Sequence, residues 1–191
     1  FDALVQGQFT GIRATGQQAI DPGRGPAECS KIIAPDGTEF ALLGEFDVVV
    51  LDELLRWDIQ KMEWKRILTP SPRPSPRCAH SCVFYKNSLY VLGGELATAD
   101  QYHHYKDLWK FDVVENKWQE IVVRNTGTIP TARSGHAAFV WKHYMVVFGG
   151  FYEALRDTRW FNDICVLDLQ THLWMDIPHS KLASRPEARS A

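Results

Sequence analysis

The chain carries no surplus of charge of either sign. Its 21 Lys and Arg face 23 Asp and Glu, a formal net charge of −2. That removes the electrostatic argument for a nucleic-acid or anionic-membrane surface. No apolar run approaches the roughly 20 residues needed to span a bilayer, and no signal-peptide pattern follows Phe1. Cysteine is scarce: Cys29, Cys78, Cys82 and Cys165 in 191 residues do not make a secreted disulfide framework, and they read as reduced thiols of an intracellular protein. Gly-x-Ser-x-Gly, a phosphate-binding glycine loop and His-Glu-x-x-His are all missing. The expectation is therefore a protein that is not an enzyme and uses no cofactor or metal.

What the chain does contain is repetition. Gly93-Gly94-Glu95, Lys106-Asp107-Leu108, Asp112 and Trp118 return as Gly149-Gly150-Phe151, Asn162-Asp163-Ile164, Asp168 and Trp174, each 56 positions on. A weaker copy precedes both, in Leu43-Gly44-Glu45, Asp52-Glu53-Leu54, Asp58 and Trp64. A period near 50 with glycine pairs and spaced tryptophans indicates an all-β, kelch-type β-propeller.

Each repeat reads as four strands, hence one blade. In the middle copy these are Cys78 to Phe84, the apolar run Leu89 to Leu92, an alternating strand Asp107 to Val113, and Lys117 to Val122, with Glu115-Asn116 as a two-residue turn. A polar loop is expected between Glu95 and Lys106. The third copy gives Ser134–Val140, Tyr144–Gly150, Asp163–Leu169 and Leu173–Ile177; the first gives Cys29–Ala34, Phe40–Gly44, Glu53–Ile59 and Glu63–Ile67. Trp64, Trp118 and Trp174 are expected to pack between neighbouring blades, because a buried indole removes ~150–250 Å² of surface from water.

Several stretches sharpen the match: Pro76-Arg77-Cys78-Ala79-His80, Tyr102-His103-His104-Tyr105-Lys106-Asp107-Leu108-Trp109, Arg133-Ser134-Gly135-His136 and Phe148-Gly149-Gly150-Phe151 with Tyr152 to Asp157. In these the chain resembles the kelch domain-containing protein four group, from about Pro76 to Ile177. The resemblance implies a six-bladed ring, of which about three blades lie here, and a cytoplasmic or nuclear scaffold. Residues 1–26 read as an extension leading into the propeller, 27–69 as a degenerate blade, 70–122 and 123–178 as full blades, and 179–191 as a linker with the start of a further repeat. The first copy departs from the pattern: Leu43 replaces one glycine, the following loop is four residues shorter, and Glu28 stands where Arg77 and Arg133 are expected. Pro186-Glu187-Ala188-Arg189-Ser190 repeats Pro130 to Ser134, and since propellers close with 4–8 blades, a longer polypeptide is expected.

Function then falls to the loops. In an up-and-down blade the loops between strands 2 and 3 emerge on the same face as the connectors between blades. That face carries Tyr102, His103, His104, Tyr105, Arg156, Arg159 and Trp160, aromatics and arginines of the kind that dominate interfaces. Each aromatic could instead tuck its loop onto the blade. Arg77, Arg133 and Arg189 recur at the inner-strand starts and could hold a partner's carboxylate bidentately, although their repetition also suits a structural bond. Cys78, His80 and Cys82 alternate as zinc ligands could, but the third copy has Ser134, His136 and Ala138 there, which speaks against a metal site. Ser134-Gly135-His136 is a repeat motif rather than a triad. The connector Pro70-Ser71-Pro72-Arg73-Pro74-Ser75-Pro76 is stiff and extended, a linker or a docking or phosphorylation segment. The leading reading is a protein-interaction scaffold with protein partners. Alternatives are a structural subunit of a large assembly and, third, a metal-dependent propeller enzyme or specifier.

Overall fold

The computed structural model describes residues 28–33, 39–46, 49–50, 53–58, 60–97, 102–123, 128–154, 157–177 and 186–190; for 28–50, Ala97 and Tyr102 it describes the backbone alone. The expected extension over 1–26 lies outside the described residues. All regular structure among the described residues is antiparallel β.

The first blade contains β1 (Glu28–Ile33), β2 (Glu39–Phe46), β3 (Val49–Val50), β4 (Leu54–Asp58) and β5 (Glu63–Ile67). The second contains β6 (Ser81–Tyr85), β7 (Ser88–Leu92), β8 (Glu95–Ala97), β9 (Tyr102–His104), β10 (Leu108–Asp112) and β11 (Lys117–Glu120). The third contains β12 (Ala137–Trp141), β13 (Tyr144–Phe148), β14 (Phe151–Ala154), β15 (Asp157–Trp160), β16 (Ile164–Asp168) and β17 (Leu173–Met175). The four-stranded orders are β1-β2-β4-β5, β6-β7-β10-β11 and β12-β13-β16-β17. Inner strand β6 lies against both β1 and β12, so the blades stand side by side around one axis. These are blades of a kelch β-propeller.

Alternation along β7 explains its unbroken apolar run. Leu89 and Val91 face the first blade, in a cluster with Leu54, Trp109, Phe111 and Trp118. Tyr90 and Leu92 face the third, with Met145, Val147, Cys165, Leu167 and Trp174. Both surfaces of the sheet are interior, as a strand buried on two sides requires. Trp118 and Trp174 therefore fill the two inter-blade cores, at 3% and 1% exposure. Trp64 is half-buried and packs on Trp57 with ring centroids 5.1 Å apart.

Two local expectations change. The expected polar loop of the second blade, and its counterpart between strands 2 and 3 of the third, are two-stranded hairpins, β8–β9 and β14–β15, in which Glu95 pairs His104 and Phe151 pairs Trp160. The turn after β10 spans four residues, not two, because Asp112 pairs Lys117. Its carboxylate accepts the N–H groups of Val114 and Glu115 at 2.9 and 3.0 Å, an Asx turn that opens the hairpin. Asp168 and Asp58 do the same for Gln170 with Thr171 and for Gln60 with Lys61, which explains why this aspartate recurs. In the first blade, without the glycine pair, β2 runs on to Phe46 and pairs β3 directly.

Replacing Trp174 with Ala should cost about 3–5 kcal/mol, read as a lower denaturation midpoint. A change below about 1 kcal/mol would show that this inter-blade core contributes little to stability.

Candidate functional site

The two arginines at the inner-strand starts of the second and third blades are buried and engaged within their own blades. Arg77 Nη1 and Nη2 lie 2.6 and 2.9 Å from the Asp107 carboxylate, Nη1 reaches the Gly93 carbonyl at 3.0 Å, and Nε donates to the Ser75 carbonyl at 3.1 Å. Arg133 repeats this with Asp163 at 2.6 and 2.8 Å, Gly149 at 3.0 Å and Thr131 at 3.2 Å. Each guanidinium lies over a ring, Tyr105 or Phe161. Burial by itself would raise the two carboxyls, but the paired guanidinium more than offsets it and holds both below the usual range. With all this in place, Arg77 and Arg133 have no free face for a partner's carboxylate. Arg189 differs: its side chain is exposed, and its Nε donates to Glu187.

The glycine pairs exist for contact with the next repeat. Gly93 and Gly94 adopt φ of +62° and +93°, and the Gly94 N–H donates to the Arg133 carbonyl at 2.9 Å. A Cβ on Gly93 would sit 2.7 Å from that oxygen. Gly150 repeats the bond to the Arg189 carbonyl at 2.8 Å.

Beside this frame the hairpins of the second and third blades meet. His104 is buried, and its Nε2 accepts the Glu153 N–H at 2.9 Å, so the neutral ring carries its proton on Nδ1. Nδ1 lies 3.0 Å from Ser134 Oγ, which donates to Glu95 Oε2 at 2.6 Å. Burial lowers the His104 pKa. The trio contains the residue types of a hydrolase triad, but its polarity is reversed: the imidazole donates to the hydroxyl and the hydroxyl to the carboxylate. Ser134 is fully buried, so the hydroxyl has neither a base nor access to substrate. The trio is a bridge between blades.

Between the hairpins opens a cleft of about 840 Å³ lined by His103, Tyr105, Lys106, Tyr152 and Glu153, with His104, Asp107, Ala132 and Ala154 completing its wall. Of the residues expected on this face, the structure brings three to the cleft. His103 is exposed and meets Tyr105 edge-on at 4.8 Å; Tyr105 donates to the Pro76 carbonyl at 3.3 Å; His104 lies beneath them. Trp160 and Arg159 sit exposed on β15, the indole 5.2 Å from Phe151. Tyr102 lies on β9 with only its backbone described, and Arg156 falls outside the described residues. Reading the sequence alone missed Tyr152 and Glu153 as cleft residues, and Asp107 and Asp163 as the arginines' partners. The shared spacing of 30 between each arginine and its aspartate was the available signal.

His80 and His136 are buried beneath the inner-strand starts, with His136 Nε2 2.7 Å from Ser81 Oγ. Burial, with the neighbouring arginine, pushes each imidazole down to about 3. The thiols of Cys82 and Cys165 are pushed up by burial, Cys165 to about 12, so neither is a nucleophile at neutral pH.

The arrangement is that of a kelch propeller, and comparison with known proteins agrees. Residues 37–191 match the KLHDC2/KLHL20/DRC7 Kelch-repeats domain, and the chain belongs to this kelch-repeat family. It is 34% identical over 140 residues to kelch domain-containing protein 3 of Rattus norvegicus and of Homo sapiens, in each case 72% of this chain and 35% of that protein. It is 27% identical over 125 residues to Rho GTPase-activating protein gacHH of Dictyostelium discoideum, 64% of this chain and 8% of that protein. The chain thus spans about a third or less of the relatives it matches.

Asp163→Asn should destabilise by about 3–5 kcal/mol, since it leaves a buried guanidinium without its counter-charge; a loss under about 1 kcal/mol would deny the pair its structural role. Acid should act in the same direction. His80 and His136 stay neutral in the native state, while their ordinary value is 6.5. As pH falls below that value the unfolded chain takes up protons that the native state refuses, so stability drops, by at most about 1.4 kcal/mol per pH unit per imidazole. The lowered carboxyls of Asp107 and Asp163 add to the loss at lower pH. Urea midpoints should fall steadily from about pH 7 to about pH 4, and a flat profile would contradict the burial of both rings.

Proposed function

We propose that this chain is part of a non-enzymatic protein-interaction module of the cytoplasm or nucleus, and that it grips a partner through the cleft between the β8–β9 and β14–β15 hairpins. The cleft itself carries the reading: it lies on the face of the hairpins and blade connectors. Its walls combine aromatic area (Tyr105, Tyr152) with charge of both signs (Lys106, Glu153), the composition of interface hot spots and their rims. Membership of the kelch family supports a protein partner. The reversed, buried Ser134–His104–Glu95 bridge supports the absence of catalysis, and the buried thiols of Cys78, Cys82 and Cys165, none in a disulfide, suit a reducing compartment.

The same reading makes these three blades consecutive members of a larger ring, six-bladed by resemblance. Val83 and Tyr85 pack into the core shared with the third blade. Their counterparts 56 positions on, Phe139 and Trp141, are about half exposed on the far side of that blade. This is the face a following blade would cover.

The test is affinity purification of the full-length protein beside a His103→Ala/Lys106→Ala/Tyr152→Ala variant, with quantitative mass spectrometry of what co-elutes. Circular dichroism should be unchanged and the defined partner set lost, at about 2 kcal/mol or more per anchoring side chain. Full retention of every partner would place binding elsewhere.

A further inference from the structure

Three repeats align at the entry to the inner strand, and one of them differs in a way that packing does not require. Pro74, Pro130 and Pro186 occupy one column; Ser75, Thr131 and Glu187 the next; Pro76, Ala132 and Ala188 the third; and Arg77, Arg133 and Arg189 the fourth. The backbone is the same in all three, since each arginine Nε donates to the carbonyl two residues before it, at 3.1, 3.2 and 3.2 Å. The side chains of Ser75, Thr131 and Glu187 are all exposed. The repeat thus accepts alanine where this copy carries Pro76, and it accepts a full negative charge at the column of Ser75.

We propose that Ser75 is a phosphoacceptor for a proline-directed serine/threonine kinase. The Ser75 hydroxyl is bonded to no other group among the described residues, so its modification breaks no hydrogen bond. Pro76 supplies the proline immediately after the acceptor. The preceding residues 68–75 form neither strand nor helix and are mostly exposed, a proline-rich surface approach that a kinase cleft can reach without unfolding a blade. Arg77 is buried, so recognition runs from Ser71 to Pro76. Ser71 also precedes a proline, but its column continues as Gly127 and Ala183, with no charged residue to show that a phosphate fits.

In the reaction the γ-phosphoryl group of ATP passes to Ser75 Oγ. The new O–P bond forms as the bond to the bridging oxygen of the β-phosphate breaks, ADP leaves, and the hydroxyl proton goes to the kinase's catalytic aspartate. The product carries close to two negative charges at neutral pH. Glu187 already places one at the equivalent point, so the blade keeps its fold.

The experiment incubates the folded full-length protein with ATP and a purified proline-directed kinase and maps the phosphate by peptide mass spectrometry. Phosphate is expected on Ser75, absent from Ser75→Ala, and reduced about tenfold or more in Pro76→Ala, which restores the residue of the other repeats and so keeps the fold. The melting temperature should be unchanged by phosphorylation and by both substitutions. Phosphate confined to Thr69 or Ser71, labelling of Ser75 only after denaturation, or equal labelling of Pro76→Ala would each overturn the proposal.

Discussion

Arg133 is where two blades become one body. Its carbonyl accepts the Gly94 N–H of the second blade, and its own N–H donates to the Tyr105 carbonyl there at 3.2 Å. Its guanidinium meanwhile closes on Asp163 and Gly149 of the third blade. One residue therefore fixes both the spacing between sheets and the geometry inside a sheet. The constraint is steric as well as polar, because the backbone contact leaves no room for a Cβ at Gly93. A buried guanidinium is tolerated here because its donors are matched by a bidentate carboxylate and two carbonyls. The first blade shows the alternative: it has Glu28 at the arginine's position, and there Glu53 pairs at 2.6 Å with Arg66, whose side chain is exposed where those of Arg77 and Arg133 are buried.

With the frame fixed, the hairpins above it can differ. Glu95 and His104 of the second blade correspond to Phe151 and Trp160 of the third. The first pair joins the neighbouring blade through Ser134 and Glu153; the second packs ring against ring at a tilt, with Trp160 half exposed. A polar bridge is directional and holds one arrangement, because each proton must point one way. An apolar pair holds area rather than angle. The rim is therefore more tightly specified between the second and third blades, which is where the cleft lies.

The fold was legible because its determinants repeat. The glycine pairs, Asp112 with Asp168 and Trp118 with Trp174 recur at one spacing, and each recurrence marks a contact that the second and third blades share. The unbroken apolar run Leu89 to Leu92 signalled the two-sided burial of β7. The hairpins were not legible, because Glu95 to Lys106 has neither clear alternation nor a Gly-containing two-residue turn; its pairing depends on a neighbouring blade that local sequence does not encode. The same limit hid Glu153, whose place in the site rests on a backbone N–H rather than on residue type. His104 was picked out as a rim residue, but it is buried against the third blade, bonded to Ser134, 30 positions away, with Phe151 and Tyr152 beside its ring.

Repetition also separates what holds the molecule from what it can use. His103 corresponds to Arg159, Lys106 to Asn162, Tyr152 to Leu96 and Glu153 to Ala97; these four cleft side chains all change between copies. The residues beneath them, Asp107 with Asp163 and the ring pair Tyr105 with Phe161, keep their physical role. A wall residue that were structural would be needed by each blade, since each blade solves the same packing problem. Variation at these four positions, over a base that keeps its role from one blade to the next, fits the proposed partner-binding cleft: a shared frame with one opening whose side chains the repeat does not constrain.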